Sequence, residues 1–72
     1  MENLTDTNAL KKIINNNGLK MKYVAEQLGL SSYGFSLKVE NKQEFKTSEV
    51  AALCELLNID SLDEKEKIFF KR

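Results

Sequence analysis

Residues 21–41 read MKYVAEQLGLSSYGFSLKVEN, and their spacing predicts two short helices joined by a sharp turn. Ala25 is small enough to let a second helix cross closely, and Gly29 supplies the positive φ that ends a helix without a steric penalty. Phe35 returns a large apolar side chain to the core from the second helix. A small residue, a glycine and a large hydrophobic residue at these intervals are typical of a helix-turn-helix, here over about residues 21–40.

The second helix of this motif has clear local signals at both ends. Ser31 is a preferred N-cap, and with Ser31 in that place Leu30 and Phe35 occupy the two positions of a hydrophobic staple. Phe35 and Val39, one turn apart, face the core, and Asn41 tolerates the left-handed conformation that ends a helix. The positions that face outward are Ser32, Tyr33, Ser36 and Leu37.

Amphipathic helices are predicted on both sides of the motif. Leu10, Ile13 and Ile14 recur at i, i+3 and i+4, and the run Asn-Asn-Asn-Gly stops this first helix. The apolar stripe of a fourth helix consists of Val50, Leu53, Cys54 and Leu57. Residues 61–64 have the S-x-x-E spacing of a capping box, so a fifth helix should begin near Leu62.

The start of the fourth helix allows two interpretations. Thr47 is the better N-cap by its chemistry, whereas capping at Lys46 would make Phe45 and Val50 a second hydrophobic staple. With either start, Phe45 is expected to anchor the preceding loop in the core.

The composition limits both the fold and the chemistry of the chain. Its 72 residues suffice for one domain with a small core, and we expect a single helix-turn-helix domain over residues 1–72. Proline is absent, which suits an all-α fold of four to five helices. Histidine is absent too, which removes the commonest general base and metal ligand, and Cys54 falls on an apolar stripe. We therefore expect no enzyme, no metal site and no cofactor.

The sequence also bears on location. No apolar run approaches the roughly 18 residues of a membrane span, and the N-terminal MENLTDTNALKK lacks the basic start and apolar run of a signal peptide. We expect a cytoplasmic protein that binds no membrane and has no evident small-molecule substrate.

The charges are unevenly distributed, although the formal net charge is zero. Residues 20–46 carry five lysines against three glutamates, a net charge of +2. Residues 47–72 carry four basic and six acidic groups, a net charge of −2. The helix-turn-helix and its following loop are thus the basic part of the chain, with the sign that nucleic-acid binding requires.

Residues 21–41 resemble the helix-turn-helix of the Cro/CI (phage-repressor-like) family, whose fold is a compact lambda-repressor-like bundle of four or five helices. The run FSLKVENKQEF, the later EVAALCELLNI and the terminal FF are similar to small prophage regulators of that family, so the resemblance covers roughly residues 9–70. It implies a sequence-specific transcriptional regulator that binds a palindromic double-stranded DNA operator through the major groove. It also implies a homodimer, with half-sites about 34 Å apart.

This resemblance assigns base reading to the outward side of the second motif helix. The positions that match base-reading residues of the family are Ser32, Tyr33, Ser36 and Leu37. The set contains no Arg, Gln or Asn, the side chains that make strong bidentate contacts to bases. We expect an A·T-leaning site, read by Leu37 on thymine methyl groups and by DNA shape, with Tyr33 on a phosphate or sugar. The alternative is that Leu37 and Tyr33 are exposed without a role.

Phosphate contacts are expected from residues around this helix. They are Lys20, Lys22, Lys38, Asn41, Lys42, Gln43 and Lys46. Lys42 and Lys46, which flank the loop after the helix, are the leading candidates. Met21 stands where many relatives in the family have a phosphate-binding Gln, and Lys20 and Lys22 could replace that contact as point charges. The alternative is that the latter two are solvated lysines at the start of a helix.

The terminal run Ile68, Phe69 and Phe70 has two interpretations. These side chains either fold back on the first helix and complete the core, or they form a two-fold dimer interface. Both hold if one ring points inward and the other is shared with a second copy.

A second class of function also fits the sequence. A protein–protein interaction module that retains the helix-turn-helix fold without specific DNA binding would account for the zero net charge and the uncharged outward side. The two hypotheses differ in the dependence of DNA affinity on salt, because a DNA-binding protein displaces counterions from phosphates.

Overall fold

Five short α-helices make up most of residues 4–70, the range that the computed structural model describes, and that range contains no β-strand. They are α1 Thr7–Asn16, α2 Met21–Gln27, α3 Ser32–Val39, α4 Thr47–Leu57 and α5 Leu62–Phe69. The fold is therefore all-α with five helices, as the sequence predicts, and α2 and α3 form the helix-turn-helix.

Side-chain caps determine where three of the helices begin. Asp6, Ser31 and Ser61 each accept a hydrogen bond, through a side-chain oxygen, from the backbone N–H three residues further on, at 3.2, 3.0 and 3.4 Å. Such a bond satisfies one of the amides that the first turn of a helix leaves without an intrahelical partner. The caps of α3 and α5 are the ones predicted from the sequence.

Helix α4 begins at Thr47 with Lys46 as its N-cap, which decides between the two predicted starts. A lysine side chain has no oxygen to accept an amide bond. The Glu49 carboxylate instead reaches back and accepts a hydrogen bond from the Lys46 N–H at 2.8 Å. This is one half of a capping box.

Helices α2 and α3 end with the same backbone geometry. Gly29 has φ 73° and Asn41 has φ 65°, both in the left-handed region. The residue after each donates its N–H to the carbonyl five residues earlier, at 2.9 Å after Gly29 and 2.8 Å after Asn41. These are Schellman motifs, which turn the chain sharply away from the helix axis.

One cluster of buried apolar side chains lies between the helices of the described range. It comprises Leu10, Ile14, Val24, Ala25, Phe35, Val39, Leu53, Cys54, Leu57, Ile59, Ile68 and Phe69. Ala25 is fully buried, and its small side chain lets α2 and α3 pack closely. The core therefore fixes the angle at which α3 is presented to solvent.

Phe45 anchors the α3–α4 loop (residues 40–46) to this core, as predicted. Its ring lies edge-to-face against Phe35, with centroids 6.1 Å apart, and against Phe69, with centroids 5.9 Å apart. Edge-to-face pairs add about 0.5–1.5 kcal/mol beyond the burial of area. The loop is thus held between α3 and α5.

The C-terminal apolar run Ile68, Phe69 and Phe70 is divided between core and surface. Ile68 and Phe69 are buried, and the Ile68 carbonyl accepts a hydrogen bond from the Asp6 N–H at 2.5 Å. Phe70 is 40% exposed. Ile68 and Phe69 therefore fold back and complete the core of the monomer and do not form a dimer surface. The interpretation in which one ring points inward and the other is shared with a second copy stays a prediction for Phe70.

Candidate nucleic-acid interface

Helix α3 presents to solvent most of its reading side, the side on which base contacts are predicted (Ser32, Tyr33, Ser36 and Leu37). Ser32, Tyr33 and Ser36 are exposed, and Tyr33 has 75% of its surface accessible. Hydroxyl groups can donate and accept hydrogen bonds, so these three side chains can meet either kind of base edge or a phosphate oxygen. The side is uncharged over this stretch.

Leu37 is half-buried, in contrast to the full exposure expected from helical periodicity. The chain folds back over this turn, because the backbone N–H groups of Lys42 and Gln43 both donate to the Leu37 carbonyl, at 2.8 and 3.2 Å. The α3–α4 loop therefore borders the reading side, and Leu37 lies at the junction between the two.

Lys38 does not lie at the surface, which corrects its assignment as a phosphate-binding residue. It is only 7% exposed, and its Nζ donates to Glu49 Oε1 at 2.5 Å. Lys38 follows Phe35 by three residues and precedes Val39, so it falls on the inner stripe of α3. Glu49, four residues before Leu53, falls on the inner stripe of α4. Two opposite charges on the inner stripes of consecutive helices are the signal in the sequence that could have predicted the pair.

The Glu49 carboxylate responds to this environment in its pKa. Burial by itself would raise the pKa, because it disfavours the charged form. The hydrogen bonds from Lys38 and from the Lys46 amide, together with the charges of these two lysines, outweigh burial and lower the pKa below its usual value. The carboxylate is therefore ionised at neutral pH.

The Asn41 side chain is also used inside the protein. Its Oδ1 accepts a hydrogen bond from the Thr5 N–H and its Nδ2 donates to the Thr5 carbonyl, both at 2.8 Å. Thr7 Oγ1 donates to the carbonyl of Val39, the last residue of α3, at 2.5 Å. The assignment of the Asn41 amide to a phosphate therefore needs correction. No local signal in the sequence marks this contact, since the partners lie 36 residues apart.

The other predicted phosphate ligands lie at the surface. They are Lys20, Lys22, Lys42, Gln43 and Lys46, all exposed. Lys20 occupies the N-cap of α2, where its side chain makes no capping hydrogen bond. The backbone N–H of Lys46 is held by Glu49, while its side chain extends into solvent. Cations thus lie at the start of α2 and on the α3–α4 loop, on either side of α3 in the sequence.

A second ion pair, which the sequence did not suggest, lies at the C-terminal end of α3. Lys11 Nζ of α1 is 2.8 Å from Glu40 Oε2, and the two side chains are 49% and 42% exposed. An exposed pair of this kind contributes little to stability. Its electrostatic effect is local, because the ammonium offsets the negative charge that Glu40 places next to the reading side.

An open cavity of about 230 Å³ lies along one edge of α3. Ser32, Ser36 and Glu40, spaced four residues apart, share its lining with Lys11 and Met21. The two serines therefore line a depression that also has two charged residues and three apolar ones: Lys11, Glu40, Met21, Phe35 and Val39.

Other kinds of site find little support among residues 4–70. These residues contain no group of three or more His, Cys, Asp or Glu side chains that could hold a metal ion. Burial raises the pKa of the Cys54 thiol, which disfavours the reactive thiolate. In the same range, none of the helices is both long and apolar enough to cross a membrane.

Comparison with known proteins adds no relative to this description. The chain matches no family model, no curated protein and no solved structure.

Proposed function

We propose that this chain is a sequence-specific DNA-binding transcriptional regulator of the Cro/CI type, derived from a prophage or mobile element and acting in the cytoplasm. It binds a palindromic operator as a homodimer, and α3 enters the major groove. The observation that carries the proposal is the exposed, uncharged outer side of a capped α3, formed by Ser32, Tyr33 and Ser36, with lysines on the segments before and after it.

The chemistry of these side chains determines which of them contact bases and which contact phosphates. Ser32, Tyr33, Ser36 and the half-buried Leu37 meet base edges and sugars, and discriminate through weak contacts and DNA shape. Lys20, Lys22, Lys42 and Lys46, four of the exposed lysines, bind phosphates as point charges, with Gln43 beside them. Phosphate contacts position the helix, and base contacts select the sequence.

A titration of DNA at several salt concentrations tests this proposal. The probe is the intergenic DNA beside the encoding gene, and the control is a shuffled duplex of the same length and composition. If the lysines of both protomers neutralise phosphates, affinity should fall by about 10³–10⁵-fold between roughly 50 and 200 mM salt. Affinity for the intergenic probe should exceed that for the shuffled duplex at every salt concentration.

The second candidate is a protein–protein interaction module, and specific observations favour it. The net charge is zero, two of the seven expected phosphate ligands are engaged inside the protein, and Tyr23 and Tyr33 are exposed aromatic residues. Absence of DNA binding at low salt, or equal affinity for intergenic and shuffled DNA, would support this alternative and refute the regulator.

A further inference from the structure

Glu49 connects three segments of the protein through a single carboxylate oxygen. Its Oε1 accepts a hydrogen bond from Lys38 Nζ of α3 at 2.5 Å and another from the N–H of Lys46, the last residue of the α3–α4 loop, at 2.8 Å. Glu49 itself lies in the first turn of α4. The carboxylate thus joins the end of α3 to the end of the loop and the start of the next helix.

Stability alone gives little reason for a buried ion pair in this place. The side chains of Lys38 and Glu49 are only 9% and 10% exposed. Removing two charges from water is costly in free energy, and apolar side chains of similar volume in the same place often make a protein equally stable or more stable. A pair of this kind can instead select one arrangement of the segments that it joins, because breaking either contact leaves a buried charge without compensation.

The segment that this pair closes is the α3–α4 loop, which carries the exposed side chains of Lys42, Gln43 and Lys46. The loop is fixed at its start by the Schellman bonds to Leu37 and, one residue before its end, by the ring of Phe45. The Glu49 carboxylate supplies the attachment at its end. Through its bonds to Lys38 and to the Lys46 amide, the carboxylate fixes the end of the loop relative to α3.

We propose that Lys38 and Glu49 are positioning residues for DNA binding, which hold the α3–α4 loop at the place where its lysines meet phosphates while α3 lies in the groove. This inference rests on the DNA-binding function proposed above. It gives Lys38 a role different from that of a phosphate ligand, since the ammonium acts through Glu49 on the loop and makes no contact with DNA.

The test is the double substitution Lys38→Met with Glu49→Leu, which removes both charges and leaves the net charge of the protein unchanged. We expect a folded protein in which the backbone amides of Lys42, Gln43 and Lys46 exchange with solvent faster than in the wild type. Affinity for the operator should fall about tenfold or more, similar to the effect of a mismatched base pair. Affinity for shuffled DNA should change less than twofold.

Two further variants separate positioning from general stability. Lys38→Met with Glu49→Gln keeps an oxygen that can accept a hydrogen bond from the Lys46 amide, but it removes the bond between Glu49 and Lys38 of α3. Hydrogen exchange at the Lys46 amide should therefore stay close to wild type. This variant replaces the first one in the test if the first fails to fold. Ile14→Val removes one methyl group from the core of α1, far along the chain from the loop, and should leave loop exchange and the ratio of specific to non-specific affinity unchanged.

The readouts distinguish failure of this inference from failure of the proposed function. Unchanged exchange of the loop amides in Lys38→Met/Glu49→Leu overturns the positioning role, whether or not the protein binds DNA. Faster exchange with an unchanged affinity for the operator overturns it as well. Absence of sequence-specific binding by the wild type overturns the regulator, and the role of the pair in DNA binding with it.

Discussion

Asn41 binds both polar groups of the Thr5 backbone through its side-chain amide, with the Thr5 N–H donating to Oδ1 and Nδ2 donating to the Thr5 carbonyl. The same residue holds φ 65° at the end of α3. One asparagine therefore ends the candidate recognition helix and attaches the segment before α1 to it. A glycine would satisfy only the first of these requirements, because it lacks the amide.

Replacement of Asn41 by glycine separates these two roles. Asn41→Gly keeps the left-handed conformation accessible but removes the hydrogen bonds to Thr5, so we expect a loss of about 1–3 kcal/mol in the free energy of unfolding. The measurement is urea denaturation. The matched control is Asn58→Gly, since Asn58 has φ 58° and is exposed at the end of α4; equal losses in the two variants would contradict the role assigned to the Asn41 amide.

The ionised Glu49 makes stability depend on pH in the acid range. The pKa of Glu49 is lower in the folded protein than its usual value of 4.5. The ionised carboxylate therefore contributes fully to the free energy of unfolding above pH 4.5, and this contribution is lost as the pH falls toward the folded-state pKa. Thermal unfolding followed between pH 3 and 7 should show the melting temperature decline in that acid window. In Lys38→Met/Glu49→Gln the decline should be smaller; a decline of the same size would assign the acid sensitivity to other carboxylates.

Phe45 should matter more to stability than its partial exposure suggests. Phe45→Leu keeps an apolar side chain but removes both edge-to-face contacts, to Phe35 and to Phe69, and we expect a cost of about 1–2 kcal/mol. The control is Phe70→Leu, a substitution at an exposed ring, with an expected effect within about 0.5 kcal/mol. Chemical denaturation of both variants tests this, and similar costs for the two would contradict the anchoring role of Phe45.

Lys42 should contribute to DNA affinity without contributing to sequence preference. Lys42→Ala is expected to weaken binding to operator and shuffled DNA by the same factor and to reduce the salt slope by about one per protomer. The control is Lys67→Ala, which removes the same charge from an exposed position on α5. It should leave the salt slope of DNA binding unchanged. A selective loss of operator binding in Lys42→Ala would mean that this residue reads bases.

Leu37 should contribute to sequence preference without contributing to the salt dependence of DNA binding. Leu37→Ala shortens a half-buried side chain at the border between α3 and the α3–α4 loop, so preference for thymine at one operator position should decrease while the salt slope stays the same. Selection from a library of randomised operators measures the first effect, and the salt titration measures the second. An unchanged preference together with a reduced slope would place Leu37 outside the base contacts.

The sequence predicts the helices of this protein well, because their signals are local. Apolar periodicity locates α1 and α4, the spacing of Ala25, Gly29 and Phe35 locates α2 and α3, and the caps at Ser31 and Ser61 fix the starts of α3 and α5. Positive φ at Gly29 and Asn41 follows from residue type. The sequence leaves the start of α4 open between two positions, and the structure decides it, since a carboxylate at Glu49 can compensate for a lysine at the N-cap.

The candidate site was predicted less completely, because several of its side chains are placed by partners distant in the chain. The charge of Lys38 favours a surface position, but its place after Phe35 puts it on the inner stripe, and Glu49 compensates its burial. The side-chain amide of Asn41 is hydrogen-bonded to the backbone of Thr5, a contact that no local sequence pattern indicates. Exposure of Ser32, Tyr33 and Ser36 depends only on helical periodicity and was predicted without knowledge of the tertiary structure.

The hydrogen bond between the Asp6 amide and the Ile68 carbonyl places the entrance of α1 beside the exit of α5. The start of the first helix and the end of the last helix therefore lie next to each other, close enough for a short peptide to join them. A circular permutant opened between α4 and α5, with a short glycine bridge from α5 to α1, should retain the same core and unfold cooperatively.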